Sequence, residues 1–232
     1  MPKPLIELFP FKGLNIHPSL LPKYRGPAPI QQALLNGDNE TGVCIIEIHP
    51  DRFDAGRILH QSRYSLENQT KTFSQIAPEL ADMGGNLLLQ VLKDLKFYQE
   101  RAIDQRGDVI KAPKLKTADK FVHNWENVEE NVNKYRAFDS LYCRLSPGNQ
   151  SVSFTGVRQS QLHDFNNVEA SNGDCLLLKD KSALAIKFGN GWILVDKVKI
   201  EGKNALGALE FYNGYLLRRP KTERGVVVGV FV

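Results

Sequence analysis

The 232-residue chain is 42% hydrophobic and 24% charged, with 18 glycines and 12 prolines, an ordinary globular composition that excludes collagen-like, coiled-coil and wholly disordered chains. No uninterrupted apolar run approaches the roughly 20 residues that a bilayer demands of a helix, so a transmembrane helix is excluded and no membrane partner is expected. The net charge of +4 is unevenly placed. Residues 1–111 carry 13 Lys and Arg against 13 Asp and Glu, and residues 112–232 carry 17 against 13. That asymmetry points to an anionic partner for the second half, or to a solvated basic surface.

Gly13–His17 has strand character and is cut by Pro18. Residues 27–35 begin with prolines and stop before Asn36-Gly37, which predicts a helix with a proline-tolerant first turn. Thr41–Ile48 and Arg57–Leu66 read as strands, joined by a loop over 49–56. Thr70–Phe97 carries apolar residues at helical spacing and predicts one long helix, kinked at Pro78 and Gly84-Gly85. The pattern up to residue 101 is that of an α/β layered domain.

Ala102–Asp119 is polar and basic, and predicts a linker over 102–120. A short helix is expected over Glu126–Phe138. It is followed by strands over Leu141–Leu145, Ser151–Arg158, Asp174–Lys179, Ala183–Phe188 and Gly191–Val198, with a hairpin turn at Gly189-Asn190-Gly191. Short strands between Gly, Asn and Asp turns predict a small OB-like β-barrel over 121–232. Gly225–Val232 is apolar, β-prone and uncharged, and reads as an extra barrel strand, a diverged end or an aggregation-prone tail.

Cys44, Cys143 and Cys175 form neither a metal-binding CxxC pair nor an even-numbered disulfide framework. A reducing compartment is expected, and no metal site. The first residues show neither a secretory signal nor a transit peptide.

Asn15 and His17 stand two apart on the first strand, so their side chains share a face. Asp54 arrives from the later loop. An amide donor, an imidazole and a carboxylate converging on one centre suffice for acyl transfer, although an Asn-x-His pair by itself is more often satisfied polar structure. His49, His60, His123 and His163 have no such context and read as surface or structural, and Trp125 and Trp192 read as core.

The run from Gly13-Leu-Asn-Ile-His-Pro-Ser-Leu-Leu-Pro-Lys-Tyr-Arg-Gly to Pro-Ala-Pro-Ile30, then Gly37-Asp, Thr41-Gly-Val and Phe53-Asp-Ala-Gly-Arg-Ile-Leu59, closely resembles the formyltransferases that use 10-formyltetrahydrofolate, and among them the methionyl-tRNA formyltransferases. Ala112-Pro-Lys-Leu-Lys116, Trp125, Tyr135–Phe138 and the β-rich stretch through Glu210–Tyr215 are similar, more loosely, to that family's linker and C-terminal domain.

The resemblance implies that Asn15, His17 and Asp54 are catalytic and that Ser19, Leu20, Leu21 and Pro22 contact tetrahydrofolate, with Asp51, Arg52 and Phe53 shaping a pterin pocket. It implies 10-formyltetrahydrofolate as formyl donor, no metal, methionyl-tRNA as acceptor, and a monomer of the mitochondrial matrix whose targeting segment is not in this chain. Lys197, Lys199, Lys203, Arg218, Arg219, Lys221 and Arg224 then suit phosphate contacts.

In the family the catalytic strand follows about half of a Rossmann-like domain with a parallel sheet, whereas Asn15 lies close to Met1 here. The expectation is a truncated form of low activity, holding the C-terminal half of the catalytic domain over 1–101. A non-catalytic, tRNA-binding isoform is the alternative.

Overall fold

The computed structural model describes residues 3–11, 13–67, 70–160, 165, 168–178, 180 and 182–232. His163, and Lys179 at the end of an expected strand, lie outside them. The chain divides into two units, 1–115 and 116–232.

In the first unit a short helix α1 (Lys3–Glu7) precedes strand β1 (Leu14–His17), helix α2 (Pro29–Leu35), and strands β2 (Glu40–Glu47) and β3 (Ile58–Ser65). They form one sheet in the order β1-β2-β3. Both pairings are antiparallel, so the parallel ladder expected of a Rossmann-like sheet is not present among the described residues, and β1 is an edge strand. Burial patterns mark which segments are strands but carry no information on their direction.

The expected long helix is two. α3 (Phe73–Lys93) runs unbroken through Pro78 and both glycines, and α4 (Leu95–Glu100) starts anew after Asp94, whose side chain accepts from the Phe97 N–H. At its start, Gln75 Oε1 accepts from the Thr72 N–H at 2.9 Å, satisfying a donor the helix leaves open. Ile76, Leu80, Gly84, Leu87 and Val91 line its buried face.

Gly84 is a point of close contact. A Cβ there would lie 2.6 Å from Ile16 and 3.3 Å from Val43, so the missing side chain lets α3 close onto β1 and β2. Ile16 faces the helix, and by strand alternation Asn15 and His17 face the other way. Their cross-strand neighbours Ile46 and Cys44 pack there with Leu21 and Ile58.

The segment after α4 is bound to this unit. Ile103 exchanges both backbone hydrogen bonds with Ile58, at 2.8 and 3.0 Å, and Arg25 donates to Ile110 O at 3.0 Å and accepts from the Ala112 N–H at 2.7 Å.

The second unit opens with a 3₁₀ turn (Thr117–Lys120) and helix α5 (Val128–Phe138), whose N-cap Asn127 accepts from the Glu130 N–H at 3.2 Å. Strands β4 (Leu141–Leu145), β5 (Gln150–Thr155), β6 (Arg158–Gln159), β7 (Cys175–Leu178), β8 (Ala183–Phe188), β9 (Gly191–Val195), β10 (Lys197–Ile200) and β11 (Ala205–Gly207) follow. They form two four-stranded sheets, β11-β10-β5-β4 and β6-β9-β8-β7.

Two strands expected to be continuous, 151–158 and 191–198, each break and pass from one sheet to the other, at Gly156 and at Asp196. The corners coincide. Gly156 has φ +68° and a Cβ on it would clash with the Asp196 side chain, and Arg158 pairs with that carboxylate. A glycine at a bend where another chain segment comes close is the general pattern.

Glu210–Tyr215 is helical, not β-rich: helix α6 (Ala208–Phe211) runs into one π-turn, Tyr212–Leu216. The terminal segment is built into the core. Val227 exchanges backbone bonds with Cys175 on β7, at 3.0 and 2.8 Å, and Val232 does so with Arg144 on β4, at 2.9 and 3.0 Å. Val226, Val227, Val230 and Phe231 are buried. Trp192 is buried against Phe165 and Trp125 stacks on Phe188, as core aromatics do.

A candidate active site on the edge strand

Asn15 and His17 meet Asp54 on the face of β1 turned away from α3. Asn15 Nδ2 lies 3.4 Å from Asp54 Oδ1, and His17 Nδ1 lies 3.7 Å from the same oxygen. One carboxylate oxygen thus sits beside the amide and the imidazole. The second, Oδ2, accepts from the Gly26 N–H at 2.9 Å. His17 is buried, and 17% of the Asp54 side chain is exposed, so the cluster is sheltered with one opening.

The imidazole's tautomer follows from its neighbours. Nε2 is 2.9 Å from the carbonyl oxygen of Tyr24, which can only accept, so Nε2 carries hydrogen. Nδ1 is the edge left toward Asp54. A proton there completes an ion pair, and its loss leaves a lone pair facing the carboxylate. The Nε2 donor is therefore committed to Tyr24.

Tyr24 is in turn fixed. Its hydroxyl donates to Asp38 at 2.7 Å and accepts from Asn36 at 2.9 Å, and its φ is +64°. Burial, with the Asp38 contact second, pushes the phenol up to about 12. Asp54 also has a left-handed backbone, φ +52°, which costs a non-glycine residue about 1–2 kcal/mol. Just beyond it, a Cβ on Gly56 would lie 1.6 Å from the Glu47 carbonyl oxygen, so only glycine lets this loop press against β2.

Asn15 and Asp54 open onto a cavity of about 290 Å³ lined also by Glu47, His49, Asp51, Arg52 and Phe53. His49 Nδ1 accepts from the Asp51 and Arg52 N–H groups at 3.1 and 3.2 Å and shapes the turn. Ser19–Pro22 does not line this cavity. Ser19 is buried, its hydroxyl donating to Lys23 O at 2.7 Å. Leu20, Leu21 and Pro22 border a separate hollow of about 240 Å³ with Asp38, Gln61 and Arg63.

Three participants were invisible from residue spacing. The Tyr24 carbonyl and the Gly26 amide are backbone groups with no side-chain signature. Gln105 lies in the stretch read as linker, yet its amide reaches the backbone of Asp54 and Gly56.

The formyl transferase family profile matches residues 1–92, and its C-terminal domain profile matches 114–216. The human mitochondrial methionyl-tRNA formyltransferase is 32% identical over 220 residues, covering 91% of this chain and 56% of its own length. The methionyl-tRNA formyltransferase of Pseudothermotoga lettingae is 33% identical over 218 residues, covering 93% and 69%. The chain thus spans between half and somewhat over two thirds of these relatives.

Among solved structures, HypX from Aquifex aeolicus in complex with tetrahydrofolic acid superposes with a TM-score of 0.64 at 17% identity, covering 94% of this chain and 38% of that one, a likeness of fold. None of these findings favours the non-catalytic reading. On the sequence relatives and the two family profiles, the chain belongs to the formyltransferase family.

Proposed function

We propose that this chain carries the reacting groups of a methionyl-tRNA formyltransferase, which moves the formyl group of 10-formyltetrahydrofolate to the amino group of methionyl-tRNA. The observation that carries the reading is the meeting of Asn15, His17 and Asp54 at one carboxylate oxygen beside an open cavity. The relatives' names supply the substrate class.

The amine attacks the formyl carbon, a C–N bond forms, and the formyl oxygen becomes an anion in a tetrahedral centre. Asn15 Nδ2 donates to that oxygen. His17, held by Tyr24 through Nε2 and facing Asp54 through Nδ1, sets its positive charge beside the same centre, and such stabilisation acts most strongly where water is excluded. Asp54 balances the imidazolium and takes the proton of the attacking amine through water. The bond from carbon to N10 of the folate then breaks as N10 receives a proton.

The 290 Å³ cavity with Asp51, Arg52 and Phe53 receives the pterin end of the donor, and Ser19–Pro22 meets the folate from its own side. Residues 1–101 act as the C-terminal half of the catalytic domain, 102–120 as the basic linker, and 121–232 as an OB-like domain that holds tRNA phosphates through its lysines and arginines. The support for an OB-like arrangement is the terminal segment, which bonds to β4 and to β7. The setting is translation initiation in the mitochondrial matrix, by a monomer.

The test is transfer of labelled formyl from 10-formyltetrahydrofolate to methionyl-tRNA, by the chain as it stands and by the chain joined behind the N-terminal region of the Pseudothermotoga relative. Formyl-methionyl-tRNA from either supports the reading. Absence of product from both, or formylation of free amines with no preference for tRNA, overturns it.

A further inference from the structure

The Asp54 carboxylate stays beside Asn15 and His17 only if its turn stays put, and residues 54–56 are held by groups from outside the turn. Asp54 has a left-handed backbone, and the chain beyond it is squeezed against the Glu47 carbonyl at Gly56. The carbonyls of Asp54 and Gly56 both point at one side chain. Gln105 Nε2 donates to Asp54 O and to Gly56 O, each at 2.8 Å, using both amide hydrogens.

The other end of the amide is also engaged. Gln105 Oε1 accepts from Arg25 Nε at 2.8 Å and Nη2 at 2.6 Å. A guanidinium only donates, so the amide cannot flip. The flanking backbone is tied on both sides, Ile103 to Ile58 and Ile110 and Ala112 to Arg25. Arg25 also adjoins Gly26, whose N–H holds Asp54 Oδ2.

We propose that Gln105, oriented by Arg25, is the positioning residue of this site: it clamps the 54–56 turn and so fixes the Asp54 carboxylate against Asn15 and His17. This rests on the formyl-transfer reading for its kinetic consequence but not for its structural one. Gln105 touches no reacting atom, and a displacement of about 1 Å of a catalytic group can cost on the order of 100-fold in rate.

Two variants separate the clamp from mere packing. Gln105→Glu keeps the volume and the acceptor for Arg25 but loses both donors and sets a carboxylate against two carbonyls. Gln105→Ala removes the group. The primary readout is exchange of the Gly26 amide proton by NMR in the chain itself, which reports the Asp54 carboxylate whether or not the chain turns over.

The clamp predicts at least about tenfold faster Gly26 exchange in Gln105→Glu, with exchange in the α3 core unchanged. Gly26 protection equal to wild type in both variants overturns the proposal, and so does uniform loosening of the whole first unit. Where formyl transfer is measurable, Gln105→Glu lowers kcat more than it raises KM, and the loss vanishes in an Asp54→Asn background. Losses that simply multiply in the double variant contradict a role exercised through Asp54. Failure of formyl transfer by the wild-type sequence both alone and joined behind the relative's N-terminal region, with fast Gly26 exchange in the variants, refutes the functional reading and leaves the clamp standing.

Discussion

Replacing Phe231 by alanine tests whether the apolar terminal segment is a structural part of the second unit. The ring is 2% exposed, meets Phe154 edge-on at 5.0 Å and 88°, and lies parallel to Phe211 at 6.3 Å. Truncating a buried Phe typically costs about 3–5 kcal/mol, including the lost aromatic pair and the cavity left behind. The backbone bond from Phe231 N–H to Gly173 O, 3.1 Å, survives the change, so the loss is one of packing. With a urea m-value of about 1.5 kcal/mol/M, the midpoint should fall by about 2–3 M.

The chain's two tryptophans, Trp125 and Trp192, both lie in the second unit, so their fluorescence follows that unit alone. Val228→Ala is the control: Val228 is 40% exposed and its truncation should shift the midpoint little. A Phe231→Ala midpoint within about 0.3 M of wild type would refute the reasoning and return the tail to an unattached, aggregation-prone end.

Gly56→Ala places a Cβ 1.6 Å from the Glu47 carbonyl oxygen. It should cost about 1–3 kcal/mol of stability, measured by calorimetry, and lower formyl transfer by about 100-fold through displacement of Asp54; an unaffected rate would show that the turn tolerates the shift. Stability of the first unit should fall with rising pH between about 10 and 12. An unfolded tyrosine ionises near 10, whereas Tyr24 in the fold holds its proton up to about 12, so the fold binds more protons across that window and loses stability as pH climbs through it. Far-UV circular dichroism against urea at stepped pH should show this slope reduced in Tyr24→Phe, and an unchanged slope would assign it to other groups.

Much of the site was legible because its side chains announce themselves. Asn15 and His17 two apart on a strand must share a face, and the resemblance to the formyltransferases singled out Asp54 among the carboxylates of the later loop. What was hidden is backbone and distance. The Tyr24 carbonyl and the Gly26 amide are groups every residue owns, and Gln105 acts across 51 residues of chain from a stretch whose polarity looks like that of a solvated spacer.

The fold divides in the same way. Alternation and apolar runs marked nearly every strand of both units, but not that β1 and β2 run antiparallel, because burial is blind to strand direction. Nor did they mark the bends at Gly156 and Asp196, which exist only because two segments cross at one corner. Pro78 and Gly84-Gly85 were expected to bend α3. The helix is continuous through them, and at Gly84 the missing side chain lets it close onto β1 and β2.

The most direct measurement is the single-turnover rate of formyl transfer to methionyl-tRNA with Asn15→Ala beside wild type, in whichever form of the protein is active, with folate and tRNA affinities measured in parallel. Loss of one donor to a developing oxyanion predicts a fall of about 100-fold to 1000-fold with both affinities close to wild type. A rate within about threefold of wild type, or a loss carried entirely by weaker binding, would contradict a site in which the amide of Asn15 stabilises the transition state.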